Sequence, residues 1–463
     1  MKLITATLLI FAMSAFSATK PNKGEIEAAG AAIGKAEKSS GEMLLAGRLD
    51  DLVAAMTAVF PMATRTPVQA FMLGNALYDL EPAISYALHK EAFEKLVDYP
   101  NAALEWAMQQ HRKGEHAGAL AAYDLYSKSN PDFAPAHGLA ADCLIQLGKV
   151  PEACARWKKS ENASSGTIAT FESLVCAIYK DTSFHRKRSD LRKKAEQGDA
   201  QAAADLIQLD GSYEHDWWNT VPHGPYLQKD IPLLKKTPES PLRKSAECAG
   251  ELLLESSRES ADEPPDEVAA FKESAKKTEA ILKKYGFILD PSQTLPTDGD
   301  TMSVMLGAVT KKKLLKIETA RKQFGPALLK QAETSHDAEL HNVLATLYAG
   351  TPEMEGIEKR GWELAGEARF AAGYLVELLS KEKLTASTPE LLAAMKQFPE
   401  SSVIFRIAME VTPEPAEELL VRAIKSEYHK FSPSGLYAGT DVNLRARATA
   451  LRRYFAQLAK LQK

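Results

Sequence analysis

The sequence predicts an all-α fold, an α-solenoid of antiparallel helical hairpins, and three observations lead to it. Ala, Leu, Glu and Lys dominate the 463 residues while Val, Ile and Thr are scarce, a balance that favours helix over sheet. Between Pro100 and Thr167 the chain repeats itself, with Gly114, Ala119 and Tyr123 matched 34 residues later by Gly148, Ala153 and Trp157. A fixed period of that length identifies a stacked architecture that propensity alone would miss. Each unit also places a glycine between two apolar helical stretches, where the chain must turn with positive φ.

Composition bounds the rest. Hydrophobic residues at 45% and charged residues at 25% are globular values that argue against disorder. The length suits two or three packed domains or one long repeat array. A net charge of −4 and a pI near 6.3 provide no basic field for a phosphate backbone or anionic lipid, so no nucleic-acid partner is expected.

The chain opens with Lys2 and an apolar stretch from Leu3 to Phe16, followed by small residues that fit cleavage after Ser17. Residues 1–17 therefore read as a signal peptide, against the alternative of a buried N-terminal helix. The stretch is too short to span a bilayer, and no later window offers ~20 apolar residues. The first cysteine is Cys143, which rules out a lipidated cysteine at the cleavage point. The expectation is an exported chain, periplasmic or secreted and soluble after cleavage. Four cysteines are too few for a disulfide framework, although Cys143 and Cys154 fall on opposite arms of one hairpin and leave a bridge open.

The clearest units pair Ala102–Lys113 with Ala117–Lys128 and Ala136–Leu147 with Pro151–Glu161. A small Ala early in each second helix permits close approach, and the aromatic one turn later fills the gap to the next pair. Upstream, Leu73-Gly74-x-x-Leu77 with Pro82–Val97, and Gly47 with Leu49–Phe60, extend the array towards Glu25. Downstream, Thr170–Tyr179 and Leu191–Leu209 remain helical by pattern, giving an N-terminal repeat region over residues 25–210. Residues 211–301 read as an aromatic loop and helical spacer, with helices at Ala246–Ser256 and Glu267–Tyr285. Residues 302–463 return to hairpins after a helix at Met302–Phe324: Leu344 to Gly366, Ala368–Ser380 with Pro389–Phe398, Val403–Val411 with Pro415–Tyr428, and a closing helix Leu444–Leu461.

The pattern Ala-x-x-x-aromatic after a turn glycine, closed in the first unit by Asn130-Pro131, resembles the tetratricopeptide-repeat superfamily. The resemblance is clear over about 70 positions and weaker elsewhere. It implies ligand binding in a concave groove lined by the first helix of each pair: Asn101, Leu104, Glu105, Met108, His111 and Arg112, with Leu139, Asp142, Ile145 and Gln146 beside them. The Lys and Asn pattern that grips a C-terminal carboxylate in some members is missing, which leaves an extended peptide or a folded partner.

Other candidates are weaker. Gly30 to Ala36 resembles a phosphate loop but lacks the spacing, the Ser or Thr after the lysine and a preceding strand. His111 and His116, like His336 and His341, are five residues apart, about 140° around a continuous helix, and so form no zincin-type pair. No nucleophile elbow, Cys-x-x-Cys or dinucleotide loop occurs. His215, Asp216 and His223 could hold a metal. Trp217, Trp218 and Tyr226 in the same stretch read as loop packing or as an interface. The basic run His185 to Lys194 and the triplet Lys311-Lys312-Lys313 read as solvated helix faces before acidic-partner contacts. Asn162-Ala163-Ser164 fits a glycosylation sequon, meaningful only in a eukaryotic secretory route.

These observations favour a non-catalytic exported scaffold or adaptor with a protein or peptide partner and no cofactor. The alternatives are an envelope metal-dependent hydrolase centred on the His215–Tyr226 loop and a self-assembling structural component.

Overall fold

The computed structural model describes residues 21–96, 98–161, 170–171, 174–175, 177–179, 182–212, 223–259, 267–286, 299–311, 314–428 and 441–462. Among these it contains helices and no strand, so the all-α expectation holds. The signal-peptide reading, Trp217, Trp218, His215, Asp216 and the sequon lie outside the described residues.

The first half is a run of hairpins: α1 (Lys23–Ala36), α2 (Ser40–Leu45), α3 (Leu49–Val59), α4 (Pro67–Ala76), α5 (Pro82–Lys95), α6 (Pro100–Arg112), α7 (His116–Ser129), α8 (Ala134–Gln146) and α9 (Val150–Glu161). Local chemistry sets their ends. Thr66 and Gln69 form a reciprocal capping box at the start of α4, with Pro67 in its first turn. Gly114 and Gly148 sit at φ +77° and +73° after α6 and α8, and the next residues, Glu115 and Lys149, donate back to the carbonyls of Gln110 and Leu144. The same left-handed closure ends both units, as the period requires.

The second half comprises α10 (Phe184–Glu196), α11 (Ala200–Ser212), α12 (His223–Leu234), α13 (Pro241–Glu259), α14 (Glu267–Lys284), α15 (Gly299–Lys311), α16 (Ile317–Ala332), α17 (Ala338–Leu347), α18 (Met354–Ala365), α19 (Ala368–Ser380), α20 (Pro389–Gln397), α21 (Ser402–Glu410), α22 (Glu417–Tyr428) and α23 (Asp441–Leu461). Two expected helices are split. Gly198 at φ +92° divides Leu191–Leu209 into α10 and α11, and Asp199 then bonds the amide of Ala202 in the new first turn. Met302–Phe324 divides into α15 and α16, where the Leu314 amide turns back onto the Val309 carbonyl.

The two halves close on each other at both ends. α10 packs against α3 and α12 against α2, while α8 and α9 pack against α22 and α23. One apolar core joins the end of the first half to the end of the second. It includes Tyr123, Leu139 and Trp157 from α7 to α9, and Phe405, Tyr428 and Phe455 from α21 to α23. Phe171, Leu174, Val175 and Ile178 are buried in the same core. The array is thus a closed circuit of packed hairpins rather than an open ribbon.

Candidate functional site

The first helices carry a buried polar cluster where α6, α7 and α8 meet Tyr179. His111 is the last buried residue of α6, and its Nε2 lies 2.7 Å from Asp142 Oδ2 on α8. The Tyr179 hydroxyl donates to the same carboxylate oxygen at 2.6 Å, and Gln146 Nε2 donates to Oδ1 at 3.3 Å. With the His111 Nε2 proton given to Asp142, Nδ1 accepts from the Tyr123 hydroxyl at 3.2 Å. Burial alone would push the Asp142 carboxyl up, yet the bonds from His111, Tyr179 and Gln146 outweigh it and hold the group below its usual range. Burial, with Asp142 beside them, drives the Tyr123 and Tyr179 phenols and the Cys143 thiol well above their ordinary values.

His116 approaches this cluster from the other side of a turn. It opens α7, and Gly114 reverses the chain between the two histidines, so the 140° expected on a continuous helix does not apply. Their rings meet edge to face at 5.5 Å. Ligating atoms of His111, His116 and Cys143 lie within 4.8 Å of one another. Spacing five residues apart was the available signal, and reading it across one helix hid it.

The proposed groove residues are placed differently from an exposed lining. Leu104, Glu105, Met108, His111, Leu139, Asp142 and Ile145 are buried, and Asn101, Arg112 and Gln146 are half-exposed. The physical reason is that the chain covers part of its own first-helix wall. Tyr179 reaches His111 and Asp142, and the Tyr78 hydroxyl beyond α4 donates to the Ala177 carbonyl at 3.0 Å. Phe171 packs so closely on Gly138 that a Cβ there would stand 2.6 Å from its ring. Glu105 has no such polar compensation, and burial raises it to about 7.

The basic run also departs from the expected solvated face. Arg188 is fully buried, donating to Asp210 at 2.9 Å, to Asp230 and to the Leu44 carbonyl at 2.6 Å, with its guanidinium 4.2 Å from the Tyr226 ring. Arg186 bridges Asp50 and Glu81, and Ser189 donates to the Gly47 carbonyl. These residues join α10 to the start of the chain. Tyr226, expected in an interface loop, is buried within that junction, and His223 opens α12 with its side chain outside the described set. Cys143 and Cys154 both carry free thiols, so no bridge joins them.

No helix among the described residues is long and apolar enough to cross a membrane. No protein-family model matches the chain, and no curated protein matches it in sequence. Among solved structures the chain is similar to yeast Tom70, at 13% identity and a TM-score of 0.35 over 84% of this chain and 81% of that one. It is similar to the P58(IPK) TPR domain at 15% identity and a TM-score of 0.21, over 86% and 99%. The Naa15/Naa10 structure bound to HypK-THB gives 11% identity and a TM-score of 0.26, over 93% and 74%. The helical-hairpin fold of this chain rests on its own paired helices, their 34-residue period and the left-handed glycines that close them.

Proposed function

We propose that the chain is an exported, non-catalytic helical-repeat scaffold that binds a protein or peptide partner through its N-terminal hairpins. The observation that carries this reading is how the wall of the first helices holds Phe171 and Ala177–Tyr179, with apolar anchors at Phe171 and Ile178 and polar grips from Tyr78 and Asp142. Apolar anchors with a few polar contacts are the chemistry by which helical grooves take up peptide segments. Stacked hairpins also present an extended surface. The half-exposed Arg112 and Gln146 mark the accessible edge of this wall.

Cys143, His111 and Asp142 are residue types of a thiol hydrolase, but their burial supports a non-catalytic role. A substrate has no approach to a fully buried sulfur, and a thiol pushed well above its usual value is not a nucleophile near neutrality.

The test is site-specific photo-crosslinking in intact producing cells, with the reactive residue at Arg112, at Gln146 and, as a control, at the exposed Lys128 of α7. The reading expects one foreign polypeptide captured at both edge positions and not at Lys128. Equal capture at all three positions contradicts it. So does capture only of further copies of this chain, which would point to self-assembly.

A further inference from the structure

We propose that His111, His116 and Cys143 form a structural zinc site that fastens the α6–α7 turn to α8. The three residues offer two imidazoles and one thiol that gives up its proton to solvent as the Zn–S bond forms, the ligand types of tetrahedral zinc, and their ligating atoms already lie within 4.8 Å of one another. At usual Zn–N and Zn–S lengths such atoms sit about 3.3–3.8 Å apart, so side-chain adjustment brings them into range.

The surroundings match a ligand shell. The His111 Nε2 is committed to the Asp142 carboxylate at 2.7 Å, which orients the ring and leaves Nδ1 as the nitrogen that can take the ion once the Tyr123 hydroxyl, 3.2 Å away, turns its proton elsewhere. Asp142 is held in turn by Tyr179 and Gln146. Charge also favours a divalent ion. A ligating His111 is neutral, so Asp142 leaves one uncompensated negative charge in a fully buried position. A zinc ion with the Cys143 thiolate brings the sum to zero, whereas copper(I) with the same ligands leaves it negative. The fourth position is open to water from the half-exposed His116 side.

Such an ion would link two successive repeat units and, through Asp142, Tyr179. Its role is stability, independent of whether the partner-binding reading stands.

The experiment uses the purified full-length chain, stripped with a chelator and reloaded with zinc. Bound zinc is measured by mass spectrometry, and cobalt(II) substitution supplies a thiolate-to-metal absorption band. The expected result is stoichiometric zinc, with the cobalt band lost in Cys143→Ser. Asp142→Asn should retain the band while binding zinc about 10–100-fold more weakly. Because Cys143 is buried and its variant could fail to fold, His116→Gln at the half-exposed position is the second arm, expected to lose at least about tenfold in affinity with helical content preserved. Wild-type chain that holds no zinc after reloading overturns the proposal. Zinc retained equally by His116→Gln, or binding of copper(I) in place of zinc, does so as well.

Discussion

The Tyr428 hydroxyl donates to the carbonyl of Gly138, 3.1 Å away, although 290 residues of chain separate them. Both lie inside the core that joins α8 and α9 to α22 and α23, and Trp157 stacks on Phe455 beside them with centroids 4.6 Å apart. Tyr428→Phe is therefore expected to cost about 0.5–1.5 kcal/mol, the net value of one hydrogen bond. Phe455→Ala is expected to cost about 3–5 kcal/mol and to expose α23 to protease. Urea denaturation with limited proteolysis reads both, and an unaltered midpoint for Phe455→Ala would speak against closure at this end.

At the other junction, Arg188 is buried between two carboxylates. Arg188→Ala leaves Asp210 and Asp230 without its guanidinium, and the expected loss is about 3–5 kcal/mol. Arg186→Ala, at a half-exposed position, should cost no more than about 1 kcal/mol although it removes two ion pairs. Equal effects in denaturation experiments would contradict the assignment of Arg188 as the buried fastening.

Glu105 gives stability a pH dependence whose sign is opposite to that of a salt-bridged acid. Burial raises its folded value from the ordinary 4.5 to about 7. The folded chain then holds the proton more tightly than the unfolded chain does. The penalty for ionising Glu105 is absent below pH 4.5, grows as pH rises towards 7, and is constant above, on the order of 3 kcal/mol in full. Glu105→Gln removes that penalty. Urea midpoints should show the variant gaining on the wild type as pH rises across this window, and a constant difference would refute it.

The contacts of Tyr179 and Phe171 supply a fourth group of variants. Tyr179→Phe removes a hydrogen bond to a buried carboxylate and is expected to cost about 1.5–3 kcal/mol. Gly138→Ala drives a methyl group into Phe171 and should cost about 1–3 kcal/mol by overpacking. Both variants should speed hydrogen exchange at Ala177–Tyr179 more than at α4. Uniform changes across the chain would argue against this local contact.

The sequence made hairpins legible because their determinants are local. Gly114 and Gly148 sit at the turn positions the period demands, and helices such as Ala368–Ser380 fall where their apolar pattern places them. Closure was not legible. A 34-residue period describes how each hairpin meets the next and carries no information about Tyr428 meeting Gly138. The burial of Leu104 and Asp142 in the wall proposed as a groove was not legible either, since the groups around it, Tyr179 and Tyr78 among them, lie outside the two units the period describes. Arg188 shows the same limit: a run of seven cations among acids resembles a surface, and only Asp210 and Asp230 from other helices reveal one member as interior. The His111–His116 pair was hidden differently, by applying helical angles across a turn that Gly114 announces.

Closure is tested most directly by a double-mutant cycle on the stacked pair Trp157 and Phe455, using Trp157→Leu, Phe455→Leu and the double variant in urea unfolding. The closed circuit predicts a coupling energy of about 0.5–1.5 kcal/mol between residues almost 300 positions apart. Additivity within about 0.3 kcal/mol would mean that the two rings do not touch, and that the C-terminal helices do not close upon the N-terminal repeats.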